Sequence, residues 1–154
     1  MDLASDRYRR GIDVLQQLSG ESIEQVTNKV AEIAPDFARM TIEFPFGDLY
    51  SRGVLDLRTR EVAAISALAA LGRIPQLRVH VTAALNLGMT REEIVELLMQ
   101  ISIYAGFPPA LNALAECHDL LIEDTAKDVC EDDPIACSAA RHRPDRRHRR
   151  PRGK

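Results

Sequence analysis

Two residues break an otherwise apolar helical pattern, and both carry groups able to move protons: Glu61 and His80. Glu61 shares a helical face with Leu57, Ala64, Ile65 and Leu68, since side chains three and four apart stack on one side of a helix. His80 shares a face with Leu77, Ala84 and Leu87. A carboxylate is seldom taken out of water without a partner, because burial disfavours its charged form. A carboxylate and an imidazole entering one interior would supply a proton donor and acceptor that work near neutral pH. A plainer reading stands beside this one. Glu61 lies in the first turn of its helix, where a negative charge suits the dipole, and it could pair with Arg58 or Arg60. A single histidine on an apolar face is often a core residue with a satisfied ring. Four arginines, Arg58, Arg60, Arg73 and Arg78, are the available clamps for a carboxylate, whose geometry the guanidinium fork matches. Phe46 and Tyr50, in a segment rich in proline and glycine, could wall a site or simply pack.

The elements that must position these groups are helices. Tyr8, Ile12, Leu15 and Leu18 have helical spacing, and Gly20 stops that run. Ser22 and Gln25 form a capping-box pattern ahead of Ile23, Val26, Val30 and Ile33. Pro35 opens a helix carrying Phe37, Met40 and Phe44, and residues 45–54 read as a loop because of Pro45, Gly47 and Gly53. Asp56 can cap a helix over 57–72 that is apolar from Val62 to Leu71 except for Ser66. Such a helix is expected to be buried on all sides. Pro75 starts the next helix, Gly88 closes it, and Thr90 with Glu93 caps another. Gly106 breaks that helix, and Leu111, Leu114, His118 and Leu121 continue to about Ile122. No segment alternates like a strand. The expected fold is all-α, a compact bundle of six or seven short helices. Ala63, Ala64, Ala67, Ala69 and Ala70 permit close helix approach, so an oligomer that buries part of this region is expected.

The chain of 154 residues suffices for one domain with a core. We place that domain at 1–122 and a polar, C-terminally basic tail at 123–154. Residues 141–154 hold eight Lys or Arg and one Asp, so they carry +7. With −3 overall, residues 1–140 carry −10. The tail has no apolar residue after Ala140 and no aromatic to stack on a base, so it reads as a disordered extension and not as a nucleic-acid arm. No stretch reaches the about 18 apolar residues of a membrane span. The start at Met1 lacks a basic region followed by an apolar one, so a cytoplasmic location is expected. Cys117, Cys130 and Cys137 give no disulfide framework and no C-x-x-C pair. Cys130, Cys137 and the tail histidines match no standard zinc spacing, and no metal is expected.

Several stretches, in order, resemble the carboxymuconolactone decarboxylase family over roughly residues 7–121. They are Arg7-Tyr8-Arg9-Arg10-Gly11, Leu55-Asp56-Leu57-Arg58-Thr59-Arg60-Glu61, Ala69-Ala70-Leu71-Gly72-Arg73 and Leu77-Arg78-Val79-His80-Val81. Ala83-Ala84-Leu85-Asn86-Leu87-Gly88-Met89-Thr90 and Tyr104-Ala105-Gly106-Phe107-Pro108 complete the set. The resemblance implies an alkylhydroperoxidase D-like all-α fold, a homo-oligomer (often a hexamer) and chemistry without metal or organic cofactor. The redox branch of that superfamily carries a Glu-x11-Cys-x2-Cys-x3-His constellation. Glu61 and His80 have its outer spacing, but Arg73 and Gln76 stand at the cysteine positions. Thiol peroxidase chemistry needs a reactive thiolate and a resolving thiol there, so that branch is disfavoured. The chain also departs from the founding decarboxylases. It has no tryptophan near Phe44–Asp48, Glu61 where they carry Ser, and Asn86-Leu87-Gly88 where they carry Asn-Asn-Gly.

The implied reaction is loss of CO2 from γ-carboxymuconolactone, or a relative, in aromatic-acid degradation. His80 would donate the proton, Glu61 would orient it or favour its charged form, and Arg58, Arg60, Arg73 or Arg78 would hold the small acidic substrate. The alternatives are a peroxidase relative and a non-enzymatic oligomeric binding protein. Counted from Ile74, Glu61 is 13 residues away and His80 six, which leaves them roughly 10 Å out of level in a simple hairpin at 1.5 Å per residue. A steep crossing, a bridging water or another subunit would have to close that gap.

Overall fold

A computed structural model describes residues 5–18 and 27–122 of the chain. The capping-box pattern at Ser22 and Gln25, the tail, Cys130 and Cys137 lie outside the described residues. Among those described, every regular element is helical. Helix α1 spans Asp6–Gln17. After a short helical stretch at 27–31, α2 spans Pro35–Ile42 and runs directly into a π-helical segment, Glu43–Leu49, and a 3-10 turn, Tyr50–Arg52. Then come α3 (Leu57–Ala70), α4 (Ile74–Asn86), α5 (Arg91–Ala105), α6 (Phe107–Glu116) and α7 (His118–Leu121).

Local sequence sets the ends. The Ser5 hydroxyl accepts from the Tyr8 amide, and Asp56 accepts from the Thr59 amide at 2.7 Å, each satisfying a donor that the first helical turn leaves open. Thr90 and Glu93 cap α5 reciprocally. Gly72 closes α3 at φ 65°: its own amide reaches Ala69 O and the Arg73 amide reaches Leu68 O. This is the Schellman pattern, which needs left-handed backbone at the glycine.

Two apolar clusters build the core. The larger joins Ile65 and Ala69 of α3, Leu77, Val81 and Ala84 of α4, Ile94 and Leu98 of α5, and Ala113 and Cys117. The smaller joins Val14, Leu15 and Leu18 to Ile42, Phe46 and Ala83. Helix α4 contributes to both.

Two expectations need correction. Residues 45–54 are not a loop as far as Arg52, because the helix of α2 continues through Pro45 in widened turns. A π-turn shifts the hydrogen-bond register, so the donor that proline lacks and the clash it would cause are absorbed without breaking the helix. The second concerns α3, which is not buried on all sides. Glu61, Ile65 and Ala69 form one buried stripe, whereas Val62, Ala63, Ala67 and Ala70 are exposed within the single chain. In the single chain α3 packs on α4, α5 and α6 and leaves those four residues uncovered.

Gly47 and Gly11 allow α1 to lie directly on the π segment. A Cβ on Gly47 would sit 2.1 Å from Arg7 O, and one on Gly11 would sit 2.7 Å from Ile42 O. Neither obstacle is a side-chain tip that could swing away. Replacing Gly47 by Ala should therefore lower unfolding free energy by about 1–3 kcal/mol, the usual cost of overpacking. Urea denaturation checks this, and a variant as stable as the parent would contradict the close approach.

Candidate active site

Glu61 occupies the second turn of α3 and not the first as expected, because it is the fifth residue of a helix that begins at Leu57; it shares a stripe with Ile65 and Ala69, and its side chain has no solvent exposure. His80 occupies the middle of α4 and keeps 21% of its side chain exposed. The two meet directly, with His80 Nδ1 2.7 Å from Glu61 Oε2. The sequence-level offset of roughly 10 Å does not arise. Residues 71–73 form the connection and are not helical, so they should not be counted at the helical rise. From the helix ends at Ala70 and Ile74, the offset is three residues, about 4.5 Å, within reach of a glutamate side chain.

Nδ1 is the ring nitrogen engaged by Glu61, and with the carboxylate ionised it carries the hydrogen of this contact. The other ring nitrogen, Nε2, is then free for chemistry: a base when the ring is neutral, an acid when it is charged. Glu61 Oε1 is buried and makes no hydrogen bond.

His80 opens onto a cavity of about 640 Å³. Phe46 and Tyr50 come from the π segment and the turn after it. Ala64, Ala67 and Leu68 come from α3, and Pro75, Gln76 and Val79 from α4. Thr27, Val30, Thr41 and Pro45 complete the wall. The lining is mostly hydrocarbon, with His80, Tyr50, Gln76, Thr27 and Thr41 as its polar members. Tyr50 packs against Phe46, with ring centroids 5.3 Å apart, and the Arg60 guanidinium lies over the Tyr50 ring, 5.2 Å from its centroid. Burial and the neighbouring Glu61 carboxylate push the Tyr50 phenol up to about 12.

The structure brings Glu61, His80, Phe46 and Tyr50 together, but it does not bring the four arginines into the cavity. Arg58 pairs with Glu93 at 2.9 Å, and Arg78 pairs with Asp119 at 2.7 Å and with the Glu116 carbonyl. Arg78 holds the Asp119 carboxyl down to about 2. Arg73 is exposed at the start of α4. Arg60 donates to Leu55 O and stacks on Tyr50 from outside the wall. Sequence reasoning missed the small and apolar lining residues. Ala64 and Leu68 were within reach, because they share the Glu61 face. Thr27, Val30 and Thr41 carry no such signal, because only the fold brings their segments to α4.

Cys117 is fully buried in the larger core, and burial pushes its thiol up. No group of three or more metal-ligating side chains occurs among the described residues. No helix among them is long and apolar enough to cross a membrane.

A helical bundle holding a buried carboxylate against an imidazole at the edge of an apolar cavity is the class that fold and site define. The chain belongs to the carboxymuconolactone decarboxylase family, whose profile matches residues 35–119. It is 34% identical over 119 residues to 4-carboxymuconolactone decarboxylase of Acinetobacter baylyi, covering 77% of this chain and 88% of that protein. It is 33% identical to an uncharacterised 15.0 kDa protein of Paracoccus denitrificans, over 60% of this chain and 71% of that one. Nitrosuccinic acid decarboxylase of Metarhizium robertsii is 23% identical, over 70% of this chain and 76% of its own length.

The burial of Cys117 has a direct consequence. In the native chain a maleimide should leave Cys117 unmodified over hours and should label it promptly in denaturant, as read by peptide mass mapping. Labelling of native Cys117 at the rate of an exposed thiol would show that the core opens around it.

Proposed function

We propose that this chain is a decarboxylase of a small acid, γ-carboxymuconolactone or a close relative, formed in aromatic-acid breakdown. The observation that carries the reading is the Glu61–His80 contact, with the imidazole alone of the two facing the cavity. Family membership and the Acinetobacter relative support a carboxy-lyase. The Metarhizium relative is named for a different small acid, so carboxylate loss in this family is not tied to one substrate.

The chemistry requires a substrate whose departing carboxylate sits on the saturated carbon adjoining an unsaturated carbonyl system. Breaking the carbon–carbon bond releases CO2, and the electron pair delocalises as a dienolate. The imidazolium of His80 then delivers the Nε2 proton to carbon, and solvent at the cavity mouth restores it. Glu61 holds Nδ1–H, fixing the ring's direction and balancing its charge. The hydrocarbon wall from Ala64, Leu68 and Val79 solvates a localised carboxylate poorly and a dispersed dienolate less poorly, which favours the transition state. Arg60, stacked on the wall residue Tyr50, is our candidate to meet a second carboxylate of the substrate.

A homo-oligomer is part of this proposal. Phe37, Ile103, Tyr104, Phe107 and Leu111 are all more than half exposed in the single chain, and assembly would take such large apolar side chains out of water. Light scattering should report a multiple of the 17.2 kDa chain mass, and a monomer at micromolar concentration would remove this part.

The decisive experiment is CO2 release from the acidic lactone by wild type and His80→Ala. The variant should fold and assemble but lose about 100- to 10,000-fold in kcat, the usual worth of a positioned proton donor. Normal turnover by His80→Ala would remove His80 from the mechanism.

A further inference from the structure

We propose that Tyr50 is a positioning residue whose hydroxyl donates to Glu61 Oε1 and so locks the carboxylate that orients His80. This rests on the decarboxylase reading for its kinetic consequence, though not for its geometry. Glu61 is fully buried, and only one of its oxygens, Oε2, has a hydrogen-bond partner. A carboxylate held by one oxygen still turns about χ3, the softest torsion of a glutamate, and turning it swings the imidazole with it. A second donor at Oε1 removes that freedom and the cost of an unsatisfied buried oxygen.

Tyr50 is the group placed to supply it. It lines the same cavity as His80, and it lies near enough to Glu61 for the carboxylate to add to the burial that pushes its phenol up. Its ring cannot wander, because Phe46 packs on it at 5.3 Å and the Arg60 guanidinium covers it at 5.2 Å. Its phenol keeps its proton to about 12, so it remains a donor over the whole working range. The result is a chain of three groups running Tyr50 O–H, Glu61 carboxylate and His80 Nδ1–H, in which only the last ring reaches the reacting carbon.

Tyr50→Phe tests this cleanly, since it keeps the ring, the Phe46 contact and the Arg60 contact and removes the hydroxyl alone. We expect kcat to fall about tenfold with KM changed less than about twofold, the scale of one lost hydrogen bond. In 15N-histidine spectra the His80 Nδ1–H signal, assigned with His80→Gln, should shift or broaden. A wild-type kcat with an unchanged His80 signal would overturn the proposal. A raised KM at constant kcat would also overturn it, because the hydroxyl would then be binding substrate directly. If wild type releases no CO2 from the lactone, the decarboxylase reading falls, and the His80 signal alone decides the role of Tyr50. Should Tyr50→Phe fail to fold, fluorotyrosine incorporation into the full chain provides the second variant. It acidifies the phenol, and a His80 signal that ignores it would count against the contact.

Discussion

Everything at the site depends on one hydrogen bond between consecutive helices. Glu61 is wholly shielded from water, and a carboxylate in that position is tolerable only with a close polar partner. His80 is that partner at 2.7 Å. The bond spans the α3–α4 hairpin, so it ties together two helices that the Gly72 turn has already set side by side. It also gives the imidazole a direction, because the nitrogen facing Glu61 is committed and the other is presented to the cavity. One interaction therefore gives a buried carboxylate a partner, braces the hairpin and fixes the direction of the imidazole.

The surrounding charges are arranged to leave that pair undisturbed. Arg58, Arg78, Arg7 and Arg10 are engaged by Glu93, Asp119 and Asp48 on the outside of the fold. Arg7 and Asp48 reinforce each other, the guanidinium holding the Asp48 carboxyl below its usual range. Such exposed pairs contribute little stability one by one, but they keep cations out of an apolar cavity where each would need its own counter-charge. Arg60 meets the wall through the face of Tyr50 and not through a carboxylate.

The packing of α1 explains how the far wall is held. Gly11 and Gly47 let the helix and the π segment touch backbone to backbone, and that contact carries Phe46 and Tyr50 toward His80. Wide helical turns are a common way of aiming side chains that a regular helix would direct elsewhere. Here the widening follows from Pro45, and its result is a cavity wall contributed by two residues four apart.

The all-helical class, most helix ends and the two polar residues on apolar faces, Glu61 and His80, were legible in the sequence, for local reasons. Capping groups act within three residues, glycine turns act within two, and a polar residue on an apolar face is visible from periodicity alone. The continuation of the helix through Pro45 was hidden, because proline and glycine signal a loop unless a neighbouring segment rewards the wider turn. The direction of the four arginines was hidden as well. Each can reach several carboxylates, and which one is nearest depends on how α5, α6 and α7 fold back over α3 and α4. The sequence by itself determined which groups could move a proton. Only the tertiary structure decided that they touch, because the distance between two helices is set by packing and not by any residue on either one.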